Sequence, residues 1–198
     1  ILSSLVGSEM CIRDRDDSGQ LHALNTDVTA IEEALSERVD LQGQSALVLG
    51  AGGVARAATA ALLRLGAEVR VMNRTEARAE ALASSFEGPV KVVTEPGSVA
   101  AVVQCTSVGM STGPDPKGCP IDPAMLPSNA VLLETVYEPA FTPIREAFSQ
   151  AGGQSVGGAE MFLRQAAAQC RLWTGQEPGA DALALSLIHI SEPTRLES

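Results

Sequence analysis

The sequence predicts an α/β fold, a doubly wound, mostly parallel sheet with helices on both faces. Two observations carry that expectation. Short apolar runs alternate with helical patterns along most of the chain, and tight glycine turns stand between several of them. Strands joined through helices run parallel, and the helices must then cover the two faces of the sheet.

Taken in order, Asp16–Gln20 is polar, contains Gly19 and reads as a turn. Asn25-Thr26-Asp27 precedes a helical pattern over Val28–Val39, with Val28, Ile31 and Leu35 on one face. Asn or Thr can cap that helix, and Asp27 sits near its positive end. Gly43 breaks the run, and Ser45–Leu49 follows as a short apolar strand. After Gly50–Gly53 a helix is expected from about Val54 to Leu65, closed by Gly66. Glu68–Met72 is the next strand and Glu76–Phe86 an Ala-rich helix. Val90–Val93, Val99–Cys105 and Ala130–Val136 read as strands, with Gly113–Pro127 as one long loop. Thr142-Pro143 opens a helix to about Ala151, with Pro in the favoured first turn. Val156 marks a last short strand, and Ala159–Thr174 a last helix stopped by Gly175.

Composition narrows the function classes. Apolar residues make up 45% of the 198, enough to build a core. The net charge of −10 argues against nucleic acid or anionic membranes as partners. No apolar run reaches the length of a membrane span. Cys11, Cys105, Cys119 and Cys170 form no CxxC pair and have no histidine neighbours, which suits a reducing cytoplasm and no metal site. With only His22 and His189 present, a Ser-His-Asp hydrolase is disfavoured.

The two ends read differently from the middle. Leu5–Arg15 is LVGSEMCIRDR and Leu185–Arg195 is LSLIHISEPTR. A DNA segment able to encode the second can, on its opposite strand read one base in, encode LVGSEMCIRD and begin the next Arg. That DNA resembles a transposase adapter used to prepare sequencing libraries. Residues 1–15 and 185–198 are therefore expected to be translated adapter, and Cys11 and His189 carry no functional weight.

Gly50-Ala51-Gly52-Gly53-Val54-Ala55 fits GxGxxA between a strand and a helix. The first glycine allows the tight turn, and the second lets backbone approach a pyrophosphate. The helix start then offers unpaired N–H groups to its charge. This is the signature of a Rossmann-like dinucleotide site. The second strand ends in Asn73-Arg74-Thr75, where an NAD enzyme usually carries an acid. A guanidinium binds a 2′-phosphate that an acid would repel, so NADP is favoured over NAD. Arg78, one helical turn on, adds a second positive charge. Thr106-Ser107-Val108 follows the strand ending at Cys105, where small residues let backbone and hydroxyls approach the nicotinamide ribose.

Together the motifs resemble shikimate dehydrogenase. The matching pieces are Asn25-Thr26-Asp27, GAGGVARA at Gly50–Ala57, Asn73-Arg74-Thr75 and CTSVGM at Cys105–Met110. Val136-Tyr137, Thr142-Pro143 and EMFLRQAAAQCRLWTG at Glu160–Gly175 complete the series. The last form also looks like versions fused to a dehydroquinate dehydratase. The resemblance implies reversible, NADPH-dependent reduction of 3-dehydroshikimate to shikimate in aromatic amino-acid biosynthesis. It implies that Asp27 pairs with a catalytic lysine, and that Tyr137 and Gln165 contact substrate. It further implies that Gly50–Val54, Asn73–Arg78, Thr135 and Gly158 contact cofactor.

Two positions depart from the family pattern: Ala23 stands where Gly is usual, and Glu134 where Asp is common. The family's substrate loop, its lysine and a substrate-binding Asn precede Asn-Thr-Asp, where this chain has only adapter-like sequence. The two lysines, Lys91 and Lys117, fall in other segments. A substrate-domain remnant and linking helix over 16–42, a cofactor domain over 43–157 and a helix over 158–184 facing the missing domain are expected. On this reading the fragment alone is almost inactive, and a homodimer is left open. An NAD-dependent quinate/shikimate dehydrogenase and a non-catalytic cofactor-binding module are the alternatives. Glutamyl-tRNA reductase shares GAGG and NRT but not Asn-Thr-Asp before them or QAA…WTG after. Sequencing the coding DNA tests the adapter reading: codons at the two ends are expected to be antisense to each other, and unrelated codons overturn it.

Overall fold

The computed structural model describes residues 11–15 and 21–179, with side chains described from residue 24. The turn expected over Asp16–Gln20 and the end segment 185–198 lie outside the described residues. Strands β1 (Cys11–Arg15) and β2 (Leu21–Asn25) pair antiparallel, with Cys11 opposite Asn25. Neither strand was expected, because such a ladder is made by backbone groups and leaves little mark on a five-residue pattern. Helix α1 (Thr26–Ser36) follows at once. Asn25 caps it, its side-chain oxygen accepting from the Asp27 N–H at 2.9 Å.

The main body is a six-stranded, fully parallel sheet. Its strands are β3 (Ser45–Leu49), β4 (Glu68–Met72), β5 (Val90–Val92), β6 (Ala101–Gln104), β7 (Val131–Glu134) and β8 (Gln154–Val156). They lie in the order β5-β4-β3-β6-β7-β8. The remaining helices are α2 (Gly53–Arg64), α3 (Glu76–Ala83), α4 (Pro143–Gln150) and α5 (Gly158–Thr174). The chain winds outward from β3 to β5, returns to β6, and winds outward again to β8. The reversal between β3 and β6 opens a crevice at the carboxyl ends of the strands, where such sheets take ligands.

Strand alternation decides which helix covers which face. Ala46, Val48, Val69, Val71, Ala101, Val103, Val131 and Leu133 share one buried cluster with residues of α1, α2, α3 and α5. Leu47, Leu49, Val102 and Leu132 point the other way, onto Ile144 and Phe148 of α4 and onto Ile121 and Leu126 of the long loop. The expected doubly wound, Rossmann-like sheet with helices on both faces is therefore present. The boundaries of β3 and β4 are as expected, whereas α3 stops at Ala83 and β6 and β7 are shorter than their apolar runs. Apolar residues flanking those strands, such as Val99, Ala130 and Val136, are buried but leave the ladder. Burial extends beyond the hydrogen-bonded segment.

Helix α5 packs along α1. Arg164 binds Glu37 at 2.6 Å and Glu160 at 2.9 Å, Arg38 binds Glu160 at 2.8 Å, and Arg171 binds Glu33 at 3.0 Å. These pairs are partly exposed, so their network orients the two helices more than it stabilises them. Of the apolar residues along α5, Met161 enters the core, while Leu172 and Trp173 remain 46% and 68% exposed. Gly175 ends the helix in the left-handed conformation, φ 68°, as expected of a stop glycine.

Leu132 is fully buried on β7 and packs in the second cluster. Leu132→Ala should cost about 2–5 kcal/mol through lost burial and a residual cavity, read as a lowered urea midpoint with an unchanged slope.

Candidate functional site

The β3–α2 turn forms the floor of the crevice. Gly50 has φ +114°, and a Cβ there would stand 3.2 Å from the Cys105 backbone at the end of β6. Glycine is needed both for the dihedral and for this approach. Gly52 is the N-cap of α2, with no side-chain cap, and a Cβ there would meet nothing within 4 Å. The first amides of α2 are thus left for an outside acceptor, with open space before them. That observation fits a bound pyrophosphate.

Asn73, Arg74 and Thr75 follow β4 on the adjoining side. The Asn73 amide donates to the Thr75 carbonyl at 2.8 Å and shapes the turn, while Arg74 and Arg78 are both exposed. Gly50–Val54 and Asn73–Arg78 thus occupy the ends of neighbouring strands β3 and β4.

On the other side lies a cleft of about 250 Å³. It is lined by Val54, Cys105, Thr106, Ser107, Met110, Ser111, Thr112 and the segment Thr135–Glu138. The structure therefore brings the expected Val54, Thr106, Ser107, Thr135 and Tyr137 to one place. Val108 does not line it: its carbonyl accepts from Gln104 and its N–H donates to the Thr106 hydroxyl, each at 3.2 Å. Gly158 is buried at the start of α5, where a Cβ would run into the Val136 carbonyl, so its part is close packing beside the cleft. Tyr137 is 48% exposed and its ring lies 6.2 Å from that of Phe162.

Asp27 and Gln165 sit on the packed helices α1 and α5. Taken by itself, Gln165 reads as a solvated helix residue, yet it is only 5% exposed, and its Nε2 has no hydrogen-bond partner among the described residues. A buried donor without a partner is costly. Burial pushes Asp27 from the ordinary 3.8 up to about 6. It remains mostly ionised at neutral pH, as its place near a helix start implies, but with a margin of only about one unit. Its charge also adds to the forces raising the buried Cys105 thiol, after burial itself and the charge of Glu134.

Two organising residues lie outside the site residues expected from the sequence, where Glu134 stands only as a departure from the family pattern. Gln104 ends β6 fully buried; its Oε1 accepts from the Thr106 N–H at 2.7 Å and its Nε2 donates to the carbonyls of Thr106 and Val108. Glu134 ends β7 fully buried, accepting from the Val136 N–H at 2.9 Å and the Thr142 hydroxyl at 2.6 Å. The available signal was a polar residue closing an all-apolar strand, in AVVQ and in VLLE. A larger, shallower depression, about 430 Å³, lies at the other end of α1 around Ser36, Arg38 and Asp40, away from these loops. Among the described residues no group of three His, Cys, Asp or Glu is placed to hold a metal ion, and no helix is long and apolar enough to cross a membrane.

Fold and crevice together define a Rossmann-like α/β protein. Comparison with known proteins narrows this. The family model "Shikimate / quinate 5-dehydrogenase" matches residues 32–108, and "Shikimate 5'-dehydrogenase C-terminal domain" matches residues 158–183. The chain is 38% identical over 186 residues to a shikimate dehydrogenase (NADP(+)) of Dinoroseobacter shibae, covering 89% of this chain and 66% of that protein. It is 34% identical over 176 residues to one from Ignicoccus hospitalis, covering 87% and 64%. A solved Thermus thermophilus shikimate 5-dehydrogenase, in complex with NADP(H) and shikimate, superposes with a TM-score of 0.74 at 32% identity, covering 86% and 64%. The chain belongs to the shikimate dehydrogenase family. It spans a little under two thirds of the length of these curated relatives.

The Asp27 carboxyl binds its proton more tightly folded than unfolded. Its burial therefore costs nothing below about pH 4, and the cost grows as pH rises toward 6, to about 3 kcal/mol. Asp27→Asn should raise stability by up to about that amount at pH 7.5 and change it little at pH 4, measured by urea unfolding at both. An equal gain at the two pH values would contradict the burial argument.

Proposed function

We propose that the whole protein reversibly reduces 3-dehydroshikimate to shikimate with NADPH, and that this chain supplies the cofactor-binding part. The observation that carries the reading is the uncapped start of α2 behind Gly50, with exposed Arg74 at the end of the neighbouring strand. Backbone amides of Gly52, Gly53 and Val54 would hold the pyrophosphate, with Ala51 completing the turn. Arg74 and Arg78, shaped by Asn73 and Thr75, would hold the 2′-phosphate that separates NADP from NAD. Thr106, Ser107 and Thr135 would face the nicotinamide ribose, with Val108 fixing the loop and Gly158 leaving room behind it. Residues 43–157 are on this reading the cofactor domain, with 16–42 and 158–184 flanking it toward the substrate.

Bound NADPH supplies the hydride. The residues of this chain would orient the ketone against it. Gln165 has a buried Nε2, unpartnered among the described residues, to offer a substrate hydroxyl, and Tyr137 stands at the cleft rim. The ketone oxygen must also receive a proton. Asp27 as an ionised carboxylate is a poor donor, and its role would be to hold the ammonium of a lysine that delivers it. Lys91 on β5 and Lys117 in the long loop lie on other segments, so that lysine would come from the rest of the whole protein. The three described cysteines are free, which suits a reducing, cytoplasmic setting.

Arg74→Ala should weaken NADPH binding by about tenfold or more and NADH binding by less than twofold, measured by fluorescence titration. Equal losses would refute the phosphate clamp and return the choice between NADP and NAD to the open. The purified chain alone should show no shikimate-dependent NADPH formation, followed at the nicotinamide absorbance; measurable turnover would mean that the required groups are all within it.

A further inference from the structure

The cleft is walled by two loops that come from different strands. One, Cys105–Thr112, leaves β6; the other, Thr135–Glu138, leaves β7. The ladders reach only the first residue of each loop, where the Cys105 N–H donates to the Leu49 carbonyl at 2.8 Å and the Thr135 N–H to the Gln104 carbonyl at 3.2 Å, so beyond that point other contacts must set their separation. They touch where the Ser111 N–H donates to the Glu138 carbonyl at 3.1 Å. Beneath that contact lies Glu134, whose side chain is fully buried although it is a carboxylate. One of its oxygens holds the Val136 N–H, between Thr135 and Tyr137, and the other holds the Thr142 hydroxyl at the N-cap of α4. Thr142 in turn backs the first loop: a Cβ on Gly109 would stand 3.1 Å from the Thr142 Cβ and 3.3 Å from the Pro143 Cδ. Gly109, with φ +87°, is where that loop bends.

The geometry points to Glu134 as a positioning residue, which fixes the spacing of the two cleft loops through Val136 and Thr142 and so sets where the nicotinamide end of the cofactor lies. The inference rests on the proposed cofactor reading. A buried carboxylate is expensive unless its oxygens are satisfied, and here both are used on the two segments that matter. Burial raises its pKa, and the bonds from Thr142 and Val136 oppose that rise. The adenosine side of the crevice, at Gly50–Val54 and Asn73–Arg78, makes none of these contacts. The effect of Glu134 should therefore be confined to one half of the dinucleotide, which distinguishes positioning from a general loss of fold.

The test uses the full-length protein and two probes: NADPH, and adenosine 2′,5′-bisphosphate, which has the adenosine side only. Glu134→Ala should weaken NADPH about tenfold and lower kcat by at least as much, while binding of the bisphosphate changes less than twofold. Glu134→Gln should restore most of both, since its amide can accept from Val136 and donate to Thr142. Thr142→Val, which keeps the shape and removes one bond, should give an intermediate loss and remains available if the alanine variant does not fold. Unchanged NADPH binding and kcat in Glu134→Ala and Thr142→Val overturn the inference. Equal weakening of both probes also overturns it, since the role would then be structural only. Failure of the unmodified protein to bind either probe would instead sink the cofactor reading itself.

Discussion

Everything at the crevice depends on how closely the turn after β3 approaches the end of β6. Gly50 lies against the Cys105 backbone, where a Cβ would stand at 3.2 Å, tighter than ordinary contact. That contact holds the start of α2 at the point where the strand order reverses, and leaves its amides facing outward without a cap. A side chain at Gly50 would push the turn and the Cys105–Thr112 loop apart. The uncapped start of α2 and the cleft beside it would then shift relative to each other.

The second half of the crevice is built by a different device. Where β6 and β7 end, the backbone ladder stops and buried polar side chains take over. Gln104 folds the Thr106–Val108 segment back on itself, and Glu134 ties the Val136 segment to the cap of α4. The two stand at paired positions of β6 and β7, at the end of an apolar layer, and each is satisfied by the loop that it shapes. The loops are therefore held by few, strong, directional contacts rather than by broad packing.

Helices α1 and α5 pack along each other on one face of the sheet. Asp27 and Gln165, on the two partners of that pair, are both buried, one carrying a charge against its environment and the other a donor without a partner among the described residues. Groups left in that condition in a packed interior are commonly reserved for a ligand. The charged network among Glu33, Glu37, Arg38, Glu160, Arg164 and Arg171 orients the two helices that carry Asp27 and Gln165.

By itself the sequence determined the alternation of strands and helices, the glycine turn after β3 and the stop at Gly175, while it left the cap of α1 between Asn25 and Thr26. These are local properties: periodicity, a dihedral only glycine takes up readily, and a side chain reaching its own helix start. It also marked Arg74 as the charge at the end of β4, because position after a strand is enough to say so. Only the tertiary structure decided that Gln165 is buried rather than solvated, that Asp27 titrates near 6, and that Glu134 reaches Thr142. Those properties come from elements distant in the chain closing around one group, and burial by distant neighbours leaves no periodic trace in the residues being buried. The β1–β2 pair is the converse case, since backbone hydrogen bonds build it and no side-chain pattern announced it.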